Sequence, residues 1–284
     1  MNIISGGTGQ IGSALANALL KNGEAVTIIS RSSKSAADWQ AKGAKFAVAD
    51  IYDTESLQRI FKTGKNIFVL NPPADPLTDT DMQERKTGAS LVAALKGTHP
   101  EKIIVASTLG ARPGSRIGDL NTLYDLEQGI ASLGLPHQII RSAYYMSNWA
   151  SSLPGIKETG ELVSFFPKGL KIPMVAPQDI GELAANSMMS KDGEELTAIV
   201  GPKLYSPQDV ADEFSSALGK KVSVKVIPKK EWTAAYKSAG FSGEAAASYA
   251  AMTEIAANDI EIPKHAVKGK TTLQQFINNL IKVV

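Results

Sequence analysis

Short apolar runs alternate with segments of helical spacing from the start of the chain to about residue 141. The runs are Asn2–Ser5, Ala25–Ile29, Lys45–Val48, Asn66–Leu70, Lys102–Ala106 and His137–Arg141. Between them lie Gln10–Lys21, Ala36–Lys42, Thr54–Phe61, Asp79–Leu95 and Leu120–Leu133. In the first of these, Ile11, Leu15, Leu19 and Leu20 recur at helical spacing. A short run that is apolar throughout suits a strand buried on both faces, as parallel strands are. Strands and helices in strict alternation build βαβ units with right-handed crossovers. The expected fold class is therefore α/β: a doubly wound parallel sheet of the Rossmann type, with its ligand crevice at the carboxyl ends of the strands.

The second half is less regular. Ser151–Lys171 is rich in Gly, Pro and Ser and reads as loop or short elements. Asp179–Met189 reads as a helix with Asp179 as its N-cap, and Leu196–Val200 reads as a strand. Ser206, with Pro207 at the first helical position, opens a helix that runs to Leu218 and stops at Gly219. Val222–Ile227 follows as a strand, and Glu231–Gly240, Gly243–Ala257 and Thr272–Lys282 as helices. The expected organisation is a dinucleotide-binding unit over residues 1–150 and a smaller C-terminal α/β part over 151–284 that binds substrate. Some elements of the second part are expected to return to the main sheet.

Composition excludes several classes. The 284 residues are 43 % apolar and carry a formal net charge of +2, too little to point to nucleic acid. With no cysteine there is no disulfide, thiolate zinc site or cysteine nucleophile. His99, His137 and His265 lack metal-ligand spacing, so no metal site is expected. The basic run Lys220, Lys221, Lys225, Lys229 and Lys230 alternates with Val222, Val224 and Val226, as a strand with one solvated face does. No run approaches the ~20 apolar residues of a membrane span, and no leader precedes the first strand, so a cytoplasmic location is expected.

Gly6-Gly7-Thr8-Gly9-Gln10-Ile11-Gly12 joins the first strand to the first helix. Gly6 and Gly9 let the backbone turn tightly and approach a pyrophosphate. Gly12 lets the helix pack against the strand, and the free N–H groups near Gln10 and Ile11 face the anion. An NAD site places a carboxylate at the end of the second strand, but no Asp or Glu lies between Ala25 and Ala37. Arg31 stands there instead, where a guanidinium can grip a 2′-phosphate, with Ser32 and Lys34 as further donors. The expected cofactor is NADP(H). Asp50 ends the third strand, where it could accept from the adenine amino group or cap a turn. Asn71 and Pro72 end the fourth, bordering the cofactor ribose.

With these segments in order, the sequence resembles the NmrA-like branch of the atypical short-chain dehydrogenases/reductases. The resemblance rests on Gly6–Gly12, on Ser30-Arg31, on Ile139-Ile140-Arg141-Ser142-Ala143-Tyr144-Tyr145 with Asn148, and on Pro177-Gln178-Asp179-Ile180-Gly181. It continues through Gly201-Pro202, Leu218-Gly219-Lys220-Lys221-Val222 and Thr271-Thr272-Leu273. The branch includes NADPH-dependent quinone, azo-dye, triphenylmethane-dye and benzylic-ether reductases, and redox-sensing regulators that bind the dinucleotide without turning it over. The resemblance implies that Ser142, Ala143 and Tyr144 pass close to the nicotinamide.

In typical members of the wider superfamily a Tyr donates the proton, a Lys four residues later lowers its pKa, and a Ser at the fifth strand orients the substrate. The matching positions here are Tyr124 and Ser107, but position 128 is Gln. A neutral amide cannot stabilise a phenolate as an ammonium does, so Tyr124 can equally pack or bind substrate. The expected function is hydride transfer to a small flat acceptor such as a quinone or azo compound. Positioning does much of that work, and Tyr145, Met146 and Trp149 are candidate pocket walls together with Tyr144. Two of these four are expected to face the pocket and the rest to be core. The alternative is a non-catalytic NADP(H) sensor. An epimerase on the same scaffold is a third option, which loss of the Tyr–Lys pair argues against.

Overall fold

The computed structural model describes residues 1–283. Its centre is an eight-stranded sheet, all of whose neighbouring strands run parallel. The strands are β1 (Asn2–Ile4), β2 (Val26–Ser30), β3 (Lys45–Val48), β4 (Asn66–Val69), β5 (Lys102–Thr108) and β6 (His137–Ser142), joined from the second half by β10 (Leu196–Val200) and β13 (Val267–Lys268). Their order is β13-β10-β6-β5-β4-β1-β2-β3. The order reverses between β1 and β4, the place where a doubly wound sheet opens its ligand crevice.

Side chains alternate across the sheet with the period of two that a strand imposes. Ile4, Ile28, Phe68, Ile104 and Ile140 form one core with α1 (Gln10–Lys21) and α7 (Pro177–Met189). Ile3, Ile67, Ile103 and Val105 form the opposite core with α3 (Thr54–Phe61), α4 (Thr80–Leu95) and α5 (Asp119–Ala131). The short α2 (Ala36–Ala41) precedes β3. Helices α1 and α7 meet closely because position 181 is Gly. A Cβ there would stand 2.6 Å from the Ala14 side chain and 2.7 Å from the Leu15 nitrogen.

After β6 the chain leaves the sheet through β7 (Tyr144–Tyr145), a 3-10 segment over Met146–Ser152, α6 (Leu153–Thr159), β8 (Glu161–Ser164) and β9 (Ile172–Val175). Beyond β10 come β11 (Leu204–Tyr205), α8 (Pro207–Leu218), β12 (Ser223–Val226), α9 (Trp232–Ser238), α10 (Gly243–Asn258) and, after β13, α11 (Leu273–Val283). Two small sheets, β11-β9-β7 and β12-β8, hold this part together. Its core includes Met146, Trp149, Leu153, Phe166, Phe214, Leu273 and Ile277. The capping box at Ser206 is present, with Asp209 reciprocating and Gly219 closing the helix in the left-handed region.

One local expectation differs from the structure. Asp179 does not cap α7, because Pro177 starts that helix two residues earlier and Ala176 is the cap. Asp179 instead accepts from the Thr271 backbone N–H at 3.0 Å and the Thr271 hydroxyl at 2.8 Å, tying the chain's last turn to α7. Ser151–Lys171 holds short elements as expected, α6 and β8. Among the described residues no helix is long and apolar enough to cross a membrane.

Candidate functional site

The glycine loop leaves the first helix open at its amino end. Gly6 turns the chain at φ +65°, and the Gly9 N–H closes a turn on the Gly6 carbonyl at 3.0 Å. No side chain caps α1 and no acidic residue lies in its first turn. The first N–H groups of the helix therefore face outward with the positive end of its dipole. A Cβ at Gly12 would meet the Gly7 Cα at 2.7 Å and the Gly6 carbonyl oxygen closer still, so only glycine lets helix and loop approach this way. Thr8, Gly9, Gln10 and Gly6 are exposed, whereas Ile11 and Gly12 are buried beneath them. The loop reaches towards the end of β2, where the Thr8 and Ser30 hydroxyls stand 3.4 Å apart. Arg31 follows, exposed and without a hydrogen bond or ion pair among the described residues. An uncapped helix, a cradle that a Cβ would fill and an unpaired guanidinium are the parts a phosphorylated dinucleotide requires.

The borders of the crevice are fixed by polar contacts. The Leu70 N–H donates to the Ser5 hydroxyl at 3.0 Å. Asn71 is buried. Its amide donates to the Glu84 carbonyl at 2.9 Å and its oxygen accepts from Thr87 at 2.6 Å, which fixes the backbone of Asn71-Pro72 at the strand end. Asp50 is exposed and accepts from the Tyr52 N–H at 2.8 Å, closing a turn with one carboxylate oxygen. A polar hollow between α1 and α7, lined by Ser13, Asn17, Gln178 and Glu182, lies outside this crevice.

Past β6 the four aromatic and Met candidates separate. Met146 and Trp149 are buried in the C-terminal core, at 0 % and 4 % exposure. Tyr144 and Tyr145 are half-buried, so they are the two that remain open. Sequence reasoning missed four further rings. Phe165 stacks on Tyr236 at 4.3 Å between centroids, and Tyr236, Phe241 and Tyr249 meet edge-to-face at 4.9–5.8 Å. All four are half-buried and none belongs to a core cluster. Burial holds the Tyr144 hydroxyl well above its ordinary value. The four rings form an aromatic cluster that joins Phe165 to α9 and α10. Helix α10 is seated over the strand ends by its cap: the Ser242 hydroxyl donates to the Thr78 carbonyl at 2.8 Å, and Ser248 accepts from the Gly118 N–H at 2.9 Å.

An acidic group lies between α4 and α5. Glu84, 3 % exposed, accepts from the Ala74 N–H at 3.1 Å and the Thr122 hydroxyl at 2.9 Å. Burial first, and then the charge of Asp119, raise its carboxyl from the ordinary 4.5 to about 7. Burial and the charge of Asp81 likewise raise Asp119. Asp81 itself accepts from Ser248 at 2.7 Å, Asn121 at 2.9 Å and the Arg116 N–H at 3.1 Å. The Glu84 shift has a stability consequence of fixed sign. Between pH 4.5 and about 7 the unfolded chain releases this proton and the folded chain keeps it, so stability falls as pH rises through that window. At ~1.4 kcal/mol per unit the loss is on the order of 3 kcal/mol. Urea unfolding from pH 4.5 to 8 should show this fall in the wild type and a flatter curve in Glu84→Gln. Parallel curves would contradict the assignment.

Ser107 and Tyr124 are not brought together as a catalytic pair. The Ser107 hydroxyl, 1 % exposed, donates to Glu127, which in turn takes Arg141 through two hydrogen bonds of 2.9 and 2.5 Å. Ser107 points into the α5 face of the sheet, and its hydroxyl is committed there. This corrects the expectation that it orients a substrate. Tyr124 lies one turn before Glu127 on α5, half-buried and without a hydrogen bond among the described residues, and Gln128 is exposed.

The profile of the NmrA-like family matches residues 3–274. This chain belongs to the NmrA-like family. Within reach of this NmrA-like chain is the NAD(P)H azoreductase of Xenophilus azovorans, 25 % identical over 229 residues, which cover 80 % of this chain and 77 % of that protein. Triphenylmethane reductase of Citrobacter sp., solved as a complex with NADP(H), superposes with a TM-score of 0.82 at 20 % identity, over 99 % of this chain and all of the other. The NADPH-dependent quinone oxidoreductase of Escherichia coli superposes with a TM-score of 0.77 at 22 % identity over 99 % and 100 % of the two chains. At these identities the superpositions speak for the fold.

Proposed function

We propose that this protein is an oxidoreductase that binds NADP(H) and passes hydride to a small, flat aromatic acceptor such as a quinone or an azo compound. The observation that carries this reading is the glycine loop: an uncapped helix end, a cradle that a Cβ at Gly12 would fill, and the unpaired Arg31 at the end of β2. The family and the dye and quinone reductases it resembles support the same chemistry. The N–H groups at Gln10 and Ile11 receive the diphosphate, and Arg31 receives the 2′-phosphate. Asn71, Pro72, Ser142 and Ala143 border the nicotinamide ribose, and Asp50 keeps one oxygen for the adenine edge. Bound and reduced, the nicotinamide supplies a hydride. Tyr144 and Tyr145 hold a planar acceptor by stacking, so positioning supplies most of the acceleration.

A second reading, a sensor that binds NADP(H) without oxidising it, is favoured by Gln128 where an ammonium would stand. Mixing protein, NADPH and a panel of quinones and azo dyes separates the two. Loss of the nicotinamide absorbance means a reductase; tight binding with no oxidation across the panel means a sensor. Cofactor choice has its own test. Losing charge-assisted bonds worth about 1.5–3 kcal/mol, Arg31→Asp should weaken NADPH about 10- to 100-fold and leave NADH within about threefold. Calorimetry that found both weakened alike would remove Arg31 from the specificity argument.

A further inference from the structure

We propose that helix α10 is a strap over the cofactor crevice, and that Ser248 is the latch that holds it down. The helix crosses the loops that follow β4 and β5, on the carboxyl side of the sheet where the crevice opens. At its amino end the Ser242 N–H donates to the Pro76 carbonyl and the Ser242 hydroxyl to the Thr78 carbonyl, each at 2.8 Å. Nearer its middle the Ser248 hydroxyl, 1 % exposed, donates to Asp81 at 2.7 Å and accepts from the Gly118 N–H at 2.9 Å. Past its carboxyl end the Arg112 guanidinium donates to the Asp259 carbonyl at 3.0 Å.

This seam is built to part. The residues that α10 buries are Ala245, Ala246, Ser248 and Thr253, all of them small. Ala245 and Ala246 belong to none of the three core clusters. Hydrogen bonds across such a seam exchange for bonds to water at small net cost, whereas large apolar side chains would hold it closed. The carboxyl end of the helix is anchored more firmly. Ala256 and Ala257 pack on the C-terminal core, and Ile260 packs on the sheet core beside Gly110. The pivot therefore lies near Asp259, and the Ser242–Ser248 half lifts. Helix α9 goes with it, because the Tyr236, Phe241 and Tyr249 rings pack together and the Tyr236 and Thr253 hydroxyls lie 2.7 Å apart.

The loop under the latch is strained while the strap is down. Arg116 stands at φ +55°, the one non-glycine residue in the left-handed region among the described residues. Its N–H donates to Asp81 at 3.1 Å, the same carboxylate that takes the Ser248 hydroxyl. The next two N–H groups are taken by Asn121 at 2.8 Å and by Ser248. Gly118, at φ +57°, leaves room for Met252, whose sulfur would stand 2.7 Å from a Cβ there. Releasing Ser248 frees the Gly118 N–H and one Asp81 oxygen together, so the loop relaxes as the strap rises. With the strap up the dinucleotide enters; with it down the bound dinucleotide is retained.

The chain has no cysteine, so Thr78→Cys with Ser242→Cys can form one disulfide and no other. Oxidised, this pair should take up NADPH about tenfold more slowly or worse by stopped-flow fluorescence. Reduction should restore the wild-type rate, which also shows that the variant folds. Ser248→Ala loses both latch bonds and should raise the NADPH association and dissociation rate constants about 3- to 10-fold each. Without cofactor it should speed amide exchange over residues 243–258 and 110–118 together, and not over α8. Equal uptake by the oxidised and reduced pair, or wild-type rate constants in Ser248→Ala, would overturn the proposal. Both readouts follow the cofactor alone, so neither outcome touches the reductase reading.

Discussion

Gly12→Val should bind neither pyridine dinucleotide measurably and should unfold more easily by about 2–3 kcal/mol, the range for overpacking a tight contact. The reason lies in what the new side chain would meet. The nearest atoms are backbone, the Gly7 Cα at 2.7 Å and the carbonyl oxygen of Gly6. A flexible side chain could swing aside, but these atoms belong to the turn that presents the helix N–H groups. Relief therefore comes only by moving the loop from the anion's position. Gly9→Ala is the graded control. Its Cβ would approach the Gly6 oxygen only to 3.3 Å, so a loss of about tenfold in NADPH affinity, ~1.4 kcal/mol, is expected with little change in melting. Calorimetry and thermal melting of the two variants check both claims. Wild-type affinity in Gly12→Val would mean that the dinucleotide does not sit on this loop.

The second large effect is expected from a buried ion pair. Arg141→Leu leaves the Glu127 carboxylate, at 1 % side-chain exposure, without its cation. Orphaning a buried charge costs about 3–5 kcal/mol. Replacing both partners, Glu127→Leu with Arg141→Leu, should be less damaging than Arg141→Leu alone, because no charge is then stranded. Ser107→Ala removes one donor to the same carboxylate and should cost about 1 kcal/mol. It should leave kcat unchanged, since the hydroxyl is engaged in this network. Denaturant midpoints for the set give the stabilities. A large fall in kcat for Ser107→Ala at unchanged stability would return that serine to the reaction.

Much of the sheet could be read directly because each strand announces itself locally. Lys45–Val48, Thr54–Phe61, Leu196–Val200 and Pro207–Leu218 begin and end where their apolar spacing and caps predict. The Gly6 to Gly12 loop could be read as a strand-to-helix turn for a similar reason, since it is one contiguous stretch. The aromatic cluster around α9 and α10 could not. Phe165, Tyr236, Phe241 and Tyr249 come from three separate segments and carry no shared spacing, so only packing gathers them. Met146 and Trp149 failed as pocket walls because an apolar side chain after a strand looks the same whether it faces a core or a ligand. Ser107 misled for the opposite reason. Its family position suggests chemistry, and the glutamate twenty residues later that claims its hydroxyl has no sequence signature.

The two late strands and α7 have a consequence for how the chain can be cut. A fragment ending near residue 150 would expose the β6 edge that β10 covers. It would also strip α7 from Ile11, Ala14 and Leu15 on α1. Residues 1–150 are therefore not a detachable module. A ligand that tightens the first turn of α1 braces, through Gly181, a helix made more than 160 residues later, and so the whole polypeptide should melt as one body.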